Sequence, residues 1–175
     1  LTGSPVPPDR FTLVTGGARS GKSTHAEALA SATGRPRRYI ATAQAWDDEM
    51  ADRIARHRAQ RGPGWTTVEA PLDLCGALAQ ATAAEVVLVD CLTLWLTNHM
   101  LAGHDLAAQA GQLAQALAAC PAPVIAVTNE VGWGIVPENA LARAFRDEQG
   151  RLNQRLAAQA DRVVAVLCGL PLVLK

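Results

Sequence analysis

Phe11-Thr-Leu-Val-Thr15, running straight into Gly16-Gly-Ala-Arg-Ser-Gly-Lys-Ser23, decides the fold of this 175-residue chain. The first five residues form a short apolar run of the kind that fills a buried strand. The next eight fit GxxxxGK[ST], and Lys22 to about Ala32 reads as a helix. Strand, glycine loop and helix in that order make a phosphate cradle. Gly16 and Gly21 permit torsions and close approach that a Cβ forbids. The amides of Gly16, Gly17, Ala18, Arg19, Ser20, Gly21, Lys22 and Ser23, with the helix start, then face phosphate oxygens. Lys22 carries a mobile charge to the β- and γ-phosphates, and Ser23 offers its hydroxyl to Mg2+. The chain's only other lysine is Lys175, its fourteen remaining basic residues being Arg, so a Lys at this position is informative. The alternative is a glycine-rich turn that matches by chance.

On the N-terminal side, residues 1–10 hold Pro5, Pro7 and Pro8, which deny helix and strand hydrogen bonding. They read as a flexible leader to a single domain over 11–175. Downstream, strands are expected at 38–42, 65–69, 86–90, 124–128, 163–167 and 172–174. Helices are expected at 47–61, 72–83 and 106–119, and from a start near Pro137 to about Ala160. Val86-Val-Leu-Val-Asp90 is an unbroken apolar run, as suits a strand covered on both faces. The alternation predicts an α/β fold: a mainly parallel sheet of the P-loop, RecA-like kind, flanked by helices, with an antiparallel strand at the C-terminus.

Sixteen basic residues balance sixteen acidic ones, so no overall charge draws a nucleic acid or an anionic membrane. No stretch reaches the ~18 apolar residues of a membrane span. Cys75, Cys91, Cys120 and Cys168 are widely spaced and form no CxxC pair. They read as buried thiols of a cytoplasmic protein, not as a disulfide framework.

Asp90 ends its strand where an acid can hold a metal-bound water or a ligand hydroxyl, and the competing reading is a solvent-facing or helix-capping acid. Beside the phosphate loop it points to a nucleotide enzyme. Thr128-Asn-Glu-Val131 lacks the Lys and Asp of a GTPase base-reading motif, and no segment is an evident arginine-bearing kinase lid. The segment 47–61 is unusual: His57 shares a helical face with Arg53 and Arg61, and Arg56 and Arg58 adjoin it. Guanidinium forks suit phosphate oxygens, and a neutral imidazole can attack phosphorus. The plainer reading is a solvated helix with Glu49–Arg53 and Asp52–Arg56 pairs. His25, His99 and His104 read as structural or solvent-facing.

GGARSGKS at the loop, IATAQAWDDEM at 40–50, RIxxHRxxR at 53–61, TNEVGWGIVPEN at 128–139, FRDEQGRLNQRLA at 145–157 and the closing GLPLVLK together resemble a known family. It is the bifunctional adenosylcobinamide kinase/adenosylcobinamide-phosphate guanylyltransferase family of cobalamin assembly, matched from about Phe11 to Lys175. The resemblance implies Mg2+-dependent phosphorylation of adenosylcobinamide by ATP or GTP. Transfer of GMP from GTP to adenosylcobinamide phosphate would follow, through a guanylyl-histidine at His57. It places nucleotide contacts on the phosphate loop, on Ala41, Thr42 and Ala43, on Arg58, Ala59, Gln60 and Arg61, on Glu69 and around Asp90. It also implies a homotrimer whose active site takes residues from a neighbouring subunit. Where some relatives have a second His, this chain has Arg56.

Neighbouring guanidiniums keep the His57 ring neutral and nucleophilic, and they offset charge in the transition state. Glu69 can accept from guanine N1–H and N2–H2, though a surface acid at a strand edge would look the same. Glu130 follows a strand, where α/β sheets place substrate loops, and is the candidate to hold or deprotonate the cobinamide hydroxyl, with Arg53 a second substrate candidate. Trp46, Trp95 and Trp133 can stack on corrin or base, but core burial is the default for tryptophan. Two other readings stay open at this point: a small-metabolite P-loop kinase without a covalent intermediate, and a nucleotide-binding regulatory protein.

Overall fold

The computed structural model describes residues 9–44, 52 and 62–175. Most of the expected leader and, apart from Asp52, the expected helix at 47–61 lie outside them. Seven strands form one sheet: β1 (Phe11–Thr15), β2 (Arg37–Ala41), β3 (Trp65–Glu69), β4 (Val86–Asp90), β5 (Val124–Val127), β6 (Arg162–Leu167) and β7 (Leu170–Val173). Their order is β3-β2-β4-β5-β1-β6-β7. Every pairing is parallel except the last, where β7 turns back on β6, as the sequence predicts.

The helices among the described residues are α1 (Lys22–Ala32), α2 (Leu74–Ala79), α3 (Leu92–Leu101), α4 (Leu106–Ala119) and α5 (Ala140–Gln159). They cover both faces of the sheet, which is why β4 and β5 are continuous apolar runs. Val14, Tyr39, Val86, Leu88, Ile125, Val127, Val164 and Val166 pack with Ala26 and Ala30 of α1. The alternate positions Leu13, Ile40, Val87, Val89 and Ala126 pack with Leu78 of α2, Trp95 of α3, Leu113 of α4 and Leu152 of α5. A period of two therefore sorts the two cores.

Strand bounds shift by one or two residues, as in β7 at Leu170–Val173 against the expected 172–174; two helix starts and one whole helix differ for local reasons. The helix expected at 72–83 begins at Leu74 because the Asp73 carboxylate caps it, accepting from Gly76 N at 2.8 Å. α5 begins at Ala140 and not near Pro137, because the Asn139 side chain accepts from Leu141 N and Ala142 N. α3 has no counterpart in the sequence reading. Leu92, Thr93, Trp95, Leu96, Asn98 and His99 are all buried in it, so it carries no amphipathic stripe to be recognised by. Its one sequence signal is Gly103, left-handed at φ 71° just past the helix end.

Two side-chain expectations are corrected. Cys91 and Cys120 are buried, but Cys75 is only partly so and Cys168 is exposed on the β6–β7 turn; all four thiols are free. Trp95 lies in the core, whereas Trp133 is 77% exposed in the apolar stretch before α5. No helix among the described residues is long and apolar enough to cross a membrane.

Candidate active site

The phosphate loop joins β1 to α1 at the C-terminal edge of the sheet. Gly21 starts α1 in the left-handed region (φ 93°), with no side chain capping the helix and no acid in its first turn. The first amides are thus left for an anion. The β6–β7 turn braces the loop from behind: Gly169 N donates to Ser20 O at 2.9 Å, and a Cβ on Gly21 would lie 3.2 Å from Gly169 Cα. Lys22 is nearly buried, and its Nζ donates to Gly17 O at 3.0 Å, folding the ammonium back over the loop. Ser20 Oγ is buried without a hydrogen-bond partner among the described residues, Arg19 is exposed at φ 56°, and Ser23 is half-buried.

Sheet register lines up three sequence-predicted residues. Ala41 pairs with Glu69 on one side and with Asp90 on the other, so all three end neighbouring strands. The alternation that turns Tyr39 and Leu88 toward α1 also turns Ala41 and Asp90 that way, and Trp65 sets the same parity for Glu69. Two strand spacings, about 10 Å, separate Glu69 from Asp90. The Tyr39 hydroxyl donates to Asp90 Oδ2 at 3.0 Å and orients that carboxylate. The buried Cys91 thiol is pushed up to about 11, chiefly by burial and then by Asp90, while Lys22 pulls it the other way. The Ser23 hydroxyl and the Asp90 carboxylate are hard oxygen donors, a set that suits Mg2+, which binds few protein groups and keeps its waters. No cluster of three or more His, Cys, Asp or Glu groups suggests another metal among the described residues.

Thr42 is fully buried, and its hydroxyl is engaged internally. It donates to Cys91 O at 2.7 Å and accepts from Cys91 N at 2.8 Å. Ala43 follows in an irregular, half-buried stretch. Asn98 of α3 ties the neighbouring loops together through Thr42 O and Pro71 O, both at 2.9 Å. Across the phosphate loop, Glu130 N donates to Gly16 O at 3.2 Å, bringing this acid to the same edge. Its Oε1 accepts from the Thr15 hydroxyl at 3.2 Å and from Asn153 Nδ2 at 3.0 Å. Arg53, His57, Arg58, Ala59, Gln60 and Arg61 lie outside the described residues.

Sequence reasoning passed over Tyr39, Thr15 and Asn153, which hold the acids in place, and Asn98, which ties the neighbouring loops. Asn153 sits inside FRDEQGRLNQRLA, a block noted for its resemblance and not for its polar positions. Its amide and Gln149 are four residues apart, and that spacing on an otherwise apolar face was the available signal.

A mainly parallel sheet of this order, with a phosphate loop after β1 and an acid ending β4, one strand removed, defines a P-loop nucleotide-binding protein of the RecA-like class. The fold is similar to RadB recombinase, with a TM-score of 0.53 and 19% identity over 90% of this chain and 74% of that one. It is also similar to a type III secretion system ATPase, with a TM-score of 0.55 and 11% identity over 90% of this chain and 51% of that one. Likeness at that identity speaks for the fold alone. Residues 12–174 match the family described as cobinamide kinase / cobinamide phosphate guanyltransferase, and the chain belongs to it: an enzyme joining both activities. The bifunctional adenosylcobalamin biosynthesis protein CobP of Pseudomonas aeruginosa is 48% identical over 93% of this chain and 96% of its own length. The corresponding CobU of Escherichia coli is 46% identical over 93% of this chain and 98% of its own.

Proposed function

We propose that the enzyme phosphorylates the aminopropanol hydroxyl of adenosylcobinamide with ATP or GTP, then moves GMP from GTP to His57 and on to adenosylcobinamide phosphate. The observation that carries this reading is the common face of the sheet edge. Glu69, Ala41 and Asp90 point the same way as α1, whose uncapped start and Lys22 form the phosphate loop. One purine triphosphate lying along that face meets the loop with its phosphates and Glu69 with its base. Glu69 accepts from guanine N1–H and N2–H2, donors that adenine does not present together.

In the kinase step the loop amides and Lys22 hold the β- and γ-phosphates, and Glu130, beside Gly16, accepts the proton of the attacking hydroxyl. Ser23 and Asp90 are the residues to hold Mg2+, which when bound neutralises phosphate charge. In the second step His57 attacks the α-phosphorus and pyrophosphate leaves. The acceptor phosphate then displaces the histidine, so that each step exchanges one P–O or P–N bond for another. Arg58 and Arg61 flank the same phosphates, Arg53 serves the substrate, and the protein works in the cytoplasm as a homotrimer.

The test is incubation with Mg2+ and GTP labelled in its α-phosphate. Acid-labile, alkali-stable label on the protein, absent from His57→Ala, is expected; a chain that turns over cobinamide yet never retains label would overturn the covalent route.

A further inference from the structure

A buried polar chain runs from the inner face of α5 to the sheet edge. Gln149 is fully buried and Asn153 nearly so, one helical turn apart, on the face that Leu152 and Leu156 use to seal the core. Buried amides are retained where their bonds are made, and these bonds have a fixed direction. Asn129 O can only accept, and Asn153 Nδ2 lies 3.1 Å from it, so the NH2 end of Asn153 must face that way. Its Oδ1 then accepts from the Thr128 hydroxyl at 2.7 Å and from Gln149 Nε2 at 2.9 Å. Gln149 Nε2 also donates to Thr128 Oγ1 at 3.0 Å. What remains of the Asn153 NH2 is directed at Glu130 Oε1, 3.0 Å away, which takes the Thr15 hydroxyl as well. Gln149 Oε1 stays buried without a partner among the described residues, an imperfection that a Leu at this position would avoid.

We infer that Gln149, Thr128 and Asn153, together with Thr15, form a positioning relay that fixes Glu130 for the kinase step. Both donors to Glu130 among the described residues converge on Oε1, and the second carboxylate oxygen takes the proton. As the substrate oxygen bonds to the γ-phosphorus, the bond from that phosphorus to the β-phosphate oxygen breaks. The hydroxyl proton passes to Glu130, and a nucleoside diphosphate leaves. The inference rests on the reading of Glu130 given above. It adds that the kinase and guanylyl steps are separable by mutation, because, among the described residues, Glu130 is the one candidate catalytic group that the relay's own hydrogen bonds reach.

Asn153→Asp keeps the acceptor toward Thr128 and Gln149 but turns a carboxylate oxygen on Glu130, while Thr15→Val removes the other donor with little change of shape. Three readouts are taken on the full chain: turnover of cobinamide with γ-labelled ATP, protein label from α-labelled GTP, and melting temperature. Asn153→Asp is expected to lower kinase kcat about tenfold or more, with nucleotide KM and protein label within about twofold of the parent. Thr15→Val moves kcat the same way by less, and it decides the matter alone if Asn153→Asp does not fold. Glu130→Gln separates the two ideas. Full kinase activity in that variant removes the role of Glu130, and the relay with it. Loss there beside normal activity in Asn153→Asp and Thr15→Val removes only the relay. Parallel decline of kinase, label and melting temperature in both relay variants marks a purely structural network and overturns the proposal.

Discussion

A Cβ on Gly16 would sit 2.5 Å from the Val166 carbonyl oxygen and 2.6 Å from Ser20 Oγ. The first is backbone and cannot swing aside. Gly16→Ala is therefore expected to cost about 1–3 kcal/mol in urea unfolding and to distort the loop enough to abolish nucleotide binding. Lys22 behaves differently, since its Nζ bonds a loop carbonyl and its stem packs at the helix start. Lys22→Met should leave the melting temperature near the parent value. Binding of Mg-ATP by calorimetry should weaken by about ten- to a hundredfold, the worth of a charge-assisted bond of about 2–3 kcal/mol. Both residues were legible in the sequence, because a phosphate loop is a local object whose eight positions are consecutive. Glu130 was legible only as an acid after a strand, since its two donors come from positions 15 and 153.

At the scale of the element, α3 is the instructive case. His99 is 3% exposed, its Nε2 lies 3.1 Å from Leu72 O, and its Nδ1 lies 2.8 Å from His104 Nδ1. The Leu72 carbonyl accepts, so Nε2 carries the proton and Nδ1 of His99 accepts from His104. Burial holds the His99 imidazole below its ordinary range, with the Leu72 bond working against that shift and His104 adding to it. Between the lowered folded value and the ordinary value near 6.5, the unfolded chain binds more protons. Stability is thus kept above about pH 6.5 and falls as the pH drops below it. Urea midpoints between pH 7.5 and 5.5 should show this fall, and His99→Leu should lessen it, leaving the part due to His25, whose imidazole is also held low by burial. The sequence left His99 and His104 as structural or solvent-facing, and it did not reveal the helix that carries His99. A segment buried on several sides has no periodicity to read, whereas α4, with one face on the core, was read to the residue.

At the scale of the whole molecule, the C-terminal hairpin links sheet and site. β7 pairs with β6, Lys175 Nζ reaches Ala157 O and Ala158 O at the end of α5, and the intervening turn holds Ser20 O. Truncation after Leu167 would leave β6 as an open edge beside the phosphate loop. The expected outcome is a protein that self-associates in light scattering and binds ATP about tenfold more weakly or worse, since Gly169 no longer braces the loop. Exposed apolar residues cluster on this hairpin, at Leu170, Leu172, Val173 and Leu174, and on the stretch leading into α5, at Trp133, Ile135, Val136 and Leu141.

The sequence by itself determined the phosphate loop, the strand–helix alternation, the antiparallel ending and the family. Each is carried by contiguous residues or by a short period, so neighbours along the chain suffice to specify it. Tertiary structure alone decided that Glu69, Ala41 and Asp90 stand in one row facing α1, because strand order and register are set by packing between segments far apart in sequence. It also decided that an amide on α5 steadies an acid after β5. A hydrogen bond between positions 153 and 130 exists only once two core layers have closed around it, and no local pattern encodes it.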